Sequence, residues 1–392
     1  MRYALRWVFL AAVYGGVLGT VTAGAADPPA GSDAGGEVQA WSHVVPAISS
    51  VRFHHGMPAM AGAIVRGGRA PVCAVVGVRR HRDRTKVTLD DTFPLGSCTQ
   101  TMTATLVQIL VDRGRLSWDD TLPDIFPHVA PTMHQAYQGV TLLDLAVHRG
   151  GLPGRDATWP AGMTERDARA LRGSPAEQRQ VCVSKILSQA PAVEPGTRDL
   201  PSDAGYAVLG AACEQATGVA YEALMRIYLF EPLGLRRVGF GMPGRPDGVG
   251  QPWPHRVEVG GLVPVAPGPE VGPPAAIAPA VGVHASVEDW SRFVQAHLDG
   301  AAGRDTPLAV EDWKRLHTPP ENAAYAPGWH VMRRSWAGGR VLSQAAGSPL
   351  YGAEAWLAPK ADAAAVVATN AGGRRGERAC REAARSLMKA AL

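Results

Sequence analysis

Ser97 is one of the residues of this 392-residue chain whose side chain could act as a nucleophile. Ser97 shortly precedes the segment 100–113, whose apolar residues recur at helical spacing and which ends at Gly114. A serine hydroxyl is a poor nucleophile near neutral pH unless a neighbouring base takes its proton. One helical turn later the chain has Gln100, and a carboxamide cannot accept and hold that proton. The residue one helical turn after Ser97 therefore cannot serve as its base.

A carboxylate further along the chain could supply the missing base. Asp203 lies in the segment Pro201-Ser202-Asp203, and a carboxylate can remove a proton when it lies within hydrogen-bond reach, directly or through one water. Two other polar side chains fit structural roles better. Cys98 points about 100° away from Ser97 around the helix, which favours packing, and Tyr206 is typical of a core residue.

Composition excludes several classes of protein. Hydrophobic residues make up 46% of the chain and charged residues 19%, as in folded globular proteins. A net charge of +4 is too small for a nucleic-acid binder built on charge, so we expect no nucleic-acid partner. The five cysteines lack metal-ligand spacing, and the His54-His55 pair has no further ligands nearby in sequence. We therefore expect no metal and no cofactor. The sequence neither supports nor excludes a disulfide between Cys182 and Cys213.

The amino-terminal residues have the pattern of a secretory signal. Arg2 and Arg6 precede a short apolar run over residues 8–21. Ala23-Gly24-Ala25 then supplies the small residues of a cleavage site. We predict a signal peptide over 1–26, a flexible linker over 27–37 and one domain over 38–392, exported to the periplasm or secreted. An uncleaved membrane anchor is the alternative. After cleavage we expect no stable membrane span, since no later apolar run reaches the roughly 18 residues required.

Strand patterns lie near both ends of the domain, with helical patterns between them. The predicted elements are a helix over 38–51, a hairpin over 59–65 and 72–78, strands over 340–343, 352–357 and 363–369, and a helix over 377–392. Ser286, followed by two acidic residues, predicts the start of another helix, whereas residues 241–280 are rich enough in proline and glycine to predict loops.

The simplest architecture for this order is α/β (α+β). Both ends of the domain, about 38–92 and 325–392, form one antiparallel sheet flanked by the terminal helices. A helical subdomain, about 93–324, is inserted between them.

The sequence FPLGSCTQTMTAT at 93–105 resembles the active-site opening of the penicillin-recognising serine hydrolases, the class C β-lactamase and D,D-peptidase family. The resemblance extends in outline over 38–392 and includes EPGTR at 194–198, AGY at 204–206, WLAP at 356–359 and ATN at 368–370. It implies a β-lactamase/transpeptidase-like fold with the site between the sheet body and the helical subdomain. It also implies that Ser97 is the nucleophile.

The positions that carry the family's chemistry differ from its motifs, Ser97 excepted. The differing positions are Gln100 for the lysine of SxxK, Pro201 and Asp203 for the tyrosine and asparagine of YxN, and Gln344 and Ala346 for the cation and glycine of the third motif. These changes move the local charge from positive toward negative. They should weaken attraction for the carboxylate that β-lactams and peptidoglycan stems present.

Two functions remain compatible with these residues. The first is a pseudoenzyme or very weak hydrolase, which binds a small-molecule or peptide-like ligand in the cleft or has a structural role. The second is a rewired serine hydrolase or acyltransferase, acting on an ester or amide, in which Asp203 activates Ser97.

Overall fold

Helices and strands are mixed along the computed structural model, which describes residues 34–154 and 165–392. The helices are α1 Ala34–His54, α2 Thr99–Asp112, α3 Leu122–Ile125, α4 Leu142–Ala146, α5 Glu165–Ala170, α6 Pro175–Leu187, α7 Asp203–Thr217, α8 Tyr221–Met225, α9 Ala278–Val281, α10 Val287–Ala301, α11 Val310–Leu316 and α12 Gly373–Ala391. The strands are β1 Ala59–Arg66, β2 Val72–Gly77, β3 Thr92–Pro94, β4 Val238–Phe240, β5 His255–Glu258, β6 Gly261–Pro264, β7 Val283–Ser286, β8 Tyr325–Ala326, β9 Trp329–Arg334, β10 Gly339–Gly347, β11 Gly352–Ala358 and β12 Ala363–Thr369.

Strands from both ends of the domain form one antiparallel sheet, as the sequence predicts. The strand order is β2-β1-β12-β11-β10-β9-β8, and the amino-terminal strand β1 pairs directly with β12, with Ala63 opposite Val366. α1 and α12 cover one face, where Ile48 and Leu387 are buried against the sheet. α10 covers the other face through residues that include Phe293. The predicted fold class is therefore confirmed.

The amino-terminal predictions fall largely outside the described residues. The signal peptide predicted over 1–26 lies there, as do residues 27–33 of the predicted linker. Residues 34–37, which were included in that linker, belong to α1. None of the helices in the described ranges is both long and apolar enough to cross a membrane.

Helix α2 is more deeply buried than its apolar spacing predicts. All its residues from Thr99 to Leu110 are buried, rather than one face alone. Two of its threonines donate their hydroxyls back along the helix: Thr101 Oγ1 donates to Cys98 O at 2.8 Å, and Thr105 Oγ1 donates to Thr101 O at 2.8 Å. A polar side chain that is hydrogen-bonded in this way can enter a core at little cost. The helix that follows Ser97 is thus a central, rigid element.

The region 241–280 is the clearest error of the sequence prediction. It contains the hairpin β5–β6, and α9 begins near its end. The hairpin is anchored by the buried ring of His255, whose Nδ1 lies 2.8 Å from Asn370 O and whose Nε2 accepts from His81 N at 2.9 Å. Contacts with residues distant in sequence, rather than a local strand pattern, therefore hold these strands in place. By contrast, Ser286 caps α10 as predicted, accepting a hydrogen bond from Asp289 N.

Candidate active site

Ser97 lies in a single 3₁₀ turn, Gly96–Cys98, that leads into α2. The turn is fixed from behind because Leu95 N donates to Val283 O of β7 at 2.9 Å. Gly96 has a φ of +50°, and a Cβ built there would lie 2.7 Å from Ala346 Cβ. Glycine therefore allows the end of β10 to approach the turn closely. Ser97 itself is 3% exposed, so the candidate nucleophile is held in a rigid and nearly closed position.

Gln100 lies three residues after Ser97, in the first turn of α2, so the two side chains project from neighbouring positions on one helix face. Its side chain is buried, and both ends of its amide are hydrogen-bonded. Nε2 donates to Asp203 Oδ1 at 3.0 Å, and Oε1 accepts from Gln344 Nε2 at 3.3 Å. This neutral amide thus links two of the other motif positions.

Asp203 is the first residue of α7, which Ser202 caps by accepting from Gly205 N at 3.2 Å. A carboxylate in the first turn of a helix is favoured by the unpaired N–H groups and the helix dipole. Pro201 comes immediately before the cap, and its ring carries neither a donor nor an acceptor. The α7 terminus therefore brings one carboxylate to the site and no hydroxyl from the first position of the motif.

Gln344 reaches the site from β10. Besides its bond to Gln100, its Nε2 donates to Gly328 O at 3.0 Å, and its Oε1 accepts from Ala345 N at 3.1 Å. Its own carbonyl oxygen accepts from Cys98 Sγ at 3.4 Å. The strand is thereby tied to the turn that carries Ser97, at the position the family resemblance implies for the third motif.

The hydrogen bonds fix the orientation of both amides. Carboxylate and carbonyl oxygens only accept hydrogen bonds, and a backbone N–H only donates. The contacts with Asp203, Gly328 O and Ala345 N therefore allow only one direction of donation between the two amides. Donation runs from Gln344 to Gln100 and from Gln100 to Asp203. Asp203 is the one member of this three-residue chain that can ionise. The two amides of this chain are therefore neutral, and its one ionisable side chain is a carboxylate.

Two residues that support the site were missed by the sequence analysis. Gly328, whose carbonyl accepts from Gln344, has a φ of +82°, and a Cβ there would lie 2.7 Å from Thr101 Cα. His148 accepts from Ser202 N through Nδ1 at 3.2 Å, and its ring centroid lies 4.9 Å from that of Tyr325. Neither role was predicted, because the partner of each residue is distant in sequence: Gly328 binds Gln344 through its carbonyl, and the His148 ring binds Ser202 N.

The remaining candidate side chains have structural surroundings. Tyr206 is fully buried, and its hydroxyl donates to Ala146 O at 2.7 Å. Burial raises the pKa of this phenol far above its ordinary value. Cys182 and Cys213 form no disulfide, and burial raises the pKa of Cys182 to about 11.

No metal ligands gather in the described ranges. His55 Nε2 lies 2.8 Å from Glu382 Oε2. Within residues 34–154 and 165–392, no three His, Cys, Asp or Glu side chains are grouped so that they could hold a metal ion.

Comparisons with known proteins identify the family and the fold of the chain. The Beta-lactamase family model matches residues 38–389. Penicillin-binding protein 4 of Amycolatopsis lactamdurans is 27% identical over 310 residues, which cover 78% of this chain and 76% of that protein. A Beta-lactamase of Escherichia coli K12 is 28% identical over 243 residues, which cover 62% of this chain and 57% of that protein.

Solved structures show the same fold at low sequence identity. SurE has a TM-score of 0.72 at 20% identity, covering 91% of this chain and 77% of its own. An octameric penicillin-binding protein homologue from Pyrococcus abyssi has a TM-score of 0.69 at 20% identity, covering 89% and 77% of the two chains.

Proposed function

The chain belongs to the Beta-lactamase family, whose fold carries serine hydrolases, and from this premise we propose that it is a pseudoenzyme or a very weak hydrolase. In this proposal Ser97 keeps the position of the family nucleophile without a base that can activate it. The cleft retains a binding role, for a small-molecule or peptide-like ligand, or the domain has a structural role.

The observation that carries the proposal is the hydrogen bonding of the Gln100 side-chain amide. Its amide fills the position one turn after Ser97, and it is hydrogen-bonded at 3.0 Å to Asp203 and at 3.3 Å to Gln344. A carboxamide so held has no proton-accepting role, and general-base assistance is worth about 10² to 10⁴ in rate. Losses within one cooperating set are not additive, so the changes at Pro201 and Gln344 need not slow the reaction much further.

The charge of the site supports the same proposal. Gln100 and Gln344 are neutral, and Asp203 places a carboxylate where the family motif has an asparagine. Anionic substrates such as β-lactams gain from a positive site, and neither of these amides supplies the positive charge of the family's lysine. We therefore propose that β-lactams do not acylate Ser97, and that a ligand of this cleft is neutral or cationic.

The second candidate function is a rewired serine hydrolase or acyltransferase with Asp203 as the base. The specific observation in its favour is that Asp203 is the ionisable member of the hydrogen-bonded chain that starts beside Ser97. A carboxylate can act as a general base when geometry allows. Its Oδ1 accepts a hydrogen bond from Gln100, and this bond does not exclude the function, because each carboxylate oxygen can accept more than one hydrogen bond.

Steady-state hydrolysis of p-nitrophenyl acetate and of a chromogenic cephalosporin separates the two functions. The purified protein is compared with Ser97→Ala and with Asp203→Asn, the latter being nearly isosteric. We expect all three to hydrolyse both compounds at the same background rate. A rate that Ser97→Ala lowers by about 10² or more would overturn the pseudoenzyme proposal. If Asp203→Asn lowers that rate equally, the rewired hydrolase is supported instead.

We also propose that the protein is exported after removal of residues 1–26. The support is the charged, apolar and small-residue pattern of that segment, together with similarity to penicillin-binding proteins. Mass spectrometry of the protein recovered from the periplasm or medium should find an amino terminus at Asp27. Recovery of the full-length chain from membranes would contradict export by cleavage.

A further inference from the structure

A concave site lies beside α11 and β10, and none of its lining residues belongs to the Ser97 site. It is a cavity of about 260 Å³ between α11, β10 and the turn after β11. Its polar lining comes from Lys314, His317, Thr318, Arg340 and Lys360. This volume is several times the roughly 30 Å³ that one water occupies in the liquid, and it is below the range for drug-sized ligands. The cavity therefore suits a small ion or a small substituted group.

Three cations from separate elements meet at this cavity, and its lining contains no carboxylate. Arg340 and Lys360 form no ion pair with any residue in the described ranges, and Lys314 bonds the exposed Glu311 at 2.8 Å. Thr318 Oγ1 accepts from Arg340 Nη1 at 3.1 Å. That hydrogen bond restrains the guanidinium group, which otherwise has many rotamers.

The strand register places a further positive charge on the same face. In the antiparallel pair β9–β10, Arg333 lies directly opposite Arg340. Directly opposed side chains project from the same face of a sheet, and like charges in this position are destabilising. Arg333 also lacks an ion-pair partner within the described residues, and both side chains are exposed. A bound anion would relieve this repulsion.

The floor of the cavity adds no negative charge. It is formed in part by His317, which is 6% exposed and whose Nε2 lies 2.9 Å from His297 Nδ1. His297 Nε2 lies in turn 3.3 Å from Thr105 Oγ1 on α2. These hydrogen bonds connect the floor to the central helix, so the cavity has a fixed base rather than a mobile one.

We propose that this cavity is a phosphate-binding site, which takes either free phosphate or the phosphate group of a larger molecule. Arginine presents a fork of donors that matches two oxygens of a tetrahedral anion, and lysine adds point charges around it. The convergence of three cations fits a dianion better than a single carboxylate. This proposal is independent of whether Ser97 is active.

Titration calorimetry with inorganic phosphate, at constant ionic strength kept with sodium chloride, tests the site directly. Constant ionic strength matters because exposed charges are screened within about 10 Å at 0.1 M salt. We expect saturable binding that Arg340→Gln and Lys360→Gln each weaken by about tenfold, since each removes a charge-assisted hydrogen bond. The same experiment with glycerol 3-phosphate, and with vesicles of phosphatidylglycerol against phosphatidylcholine, distinguishes a free phosphate from an ester or a lipid headgroup.

Arg334→Gln is the matched control. It removes one charge from the residue next to Arg333, and alternation along β9 places Arg334 on the opposite face of the sheet. Its phosphate affinity should stay within about twofold of the unaltered protein. Failure of all three probes to bind with saturation would overturn the proposal, and so would an equal loss of binding in Arg334→Gln and Arg340→Gln. Circular dichroism of each variant excludes unfolding as the cause of a loss.

Discussion

A lysine at position 100 should not by itself restore hydrolysis, because Asp203 would hold the new ammonium group in its protonated form. Gln100 Nε2 lies 3.0 Å from Asp203 Oδ1, and a lysine side chain is long enough to bring Nζ to the same carboxylate. An opposite charge at this distance raises the pKa of an amine by about one to three. The fraction of lysine that is free to act as a base therefore falls by about 10- to 1,000-fold in Gln100→Lys.

The other end of the side chain adds a second obstacle. Gln100 Oε1 now accepts from Gln344 Nε2, whereas a lysine would offer only a donor there. Gln344 cannot turn its amide to compensate without losing its bonds to Gly328 O and Ala345 N. An unmet donor at this buried position costs about 1–3 kcal/mol, so Gln100→Lys should also lower the free energy of unfolding.

The assay is Ser97-dependent hydrolysis of p-nitrophenyl acetate by Gln100→Lys, Asp203→Asn and the double variant. Both single variants should remain at the background rate. The double variant should exceed Gln100→Lys by about 10- to 1,000-fold, because asparagine removes the charge that keeps the lysine protonated. Ser97→Ala added to the double variant should abolish the gain. If Gln100→Lys alone is as active as the double variant, the carboxylate does not control the site and the reasoning is refuted.

Three further predictions concern stability. Arg179→Met should lower the free energy of unfolding, measured by urea denaturation, by about 3–5 kcal/mol. The buried Arg179 binds Glu214 at 2.9 Å, and the variant would leave the Glu214 carboxylate without this cation. A change below about 1 kcal/mol would contradict this. Leu387→Ala, on the buried face of α12, should cost about 2–5 kcal/mol, whereas Arg385→Ala on the exposed face should cost far less. Burial lowers the pKa of His317 to about 3, below its unfolded value near 6.5. The neutral ring therefore contributes fully to the free energy of unfolding above pH 6.5, and this contribution is lost as the pH falls toward 3. His317→Gln should make the free energy of unfolding fall less steeply with decreasing pH in this range, by about 1.4 kcal/mol per pH unit, and an unchanged slope would refute this.

The elements that sequence patterns could predict are those that local residues specify. Short apolar runs predict β11 and β12 closely, and the Ser286 cap marks the start of α10. The hairpin β5–β6 escaped prediction because the buried His255 ring, rather than a strand pattern, holds it in place. The full burial of α2 was also missed, since threonines count as polar in the sequence although the hydroxyls of Thr101 and Thr105 bond within the helix.

In the candidate site, too, local sequence predicted some features, whereas others depend on residues distant in sequence. Motif spacing identified Gln100, Asp203 and Gln344, which the fold brings into one hydrogen-bonded chain. The direction of that chain depends on Gly328 O and Ala345 N, and backbone groups leave no signal in a motif. Sequence could therefore indicate which residues meet, but only their geometry shows that the amide of Gln100 is held at both ends.

The most direct test of the central claim is labelling of the purified protein with a fluorophosphonate, measured by intact mass. Such probes report whether a serine hydroxyl can be activated, whatever the natural substrate. We predict that the unaltered protein gains no stoichiometric adduct and behaves as Ser97→Ala does. One adduct per molecule, located at Ser97 and missing from Ser97→Ala, would show that a neighbouring group takes its proton and would contradict the account.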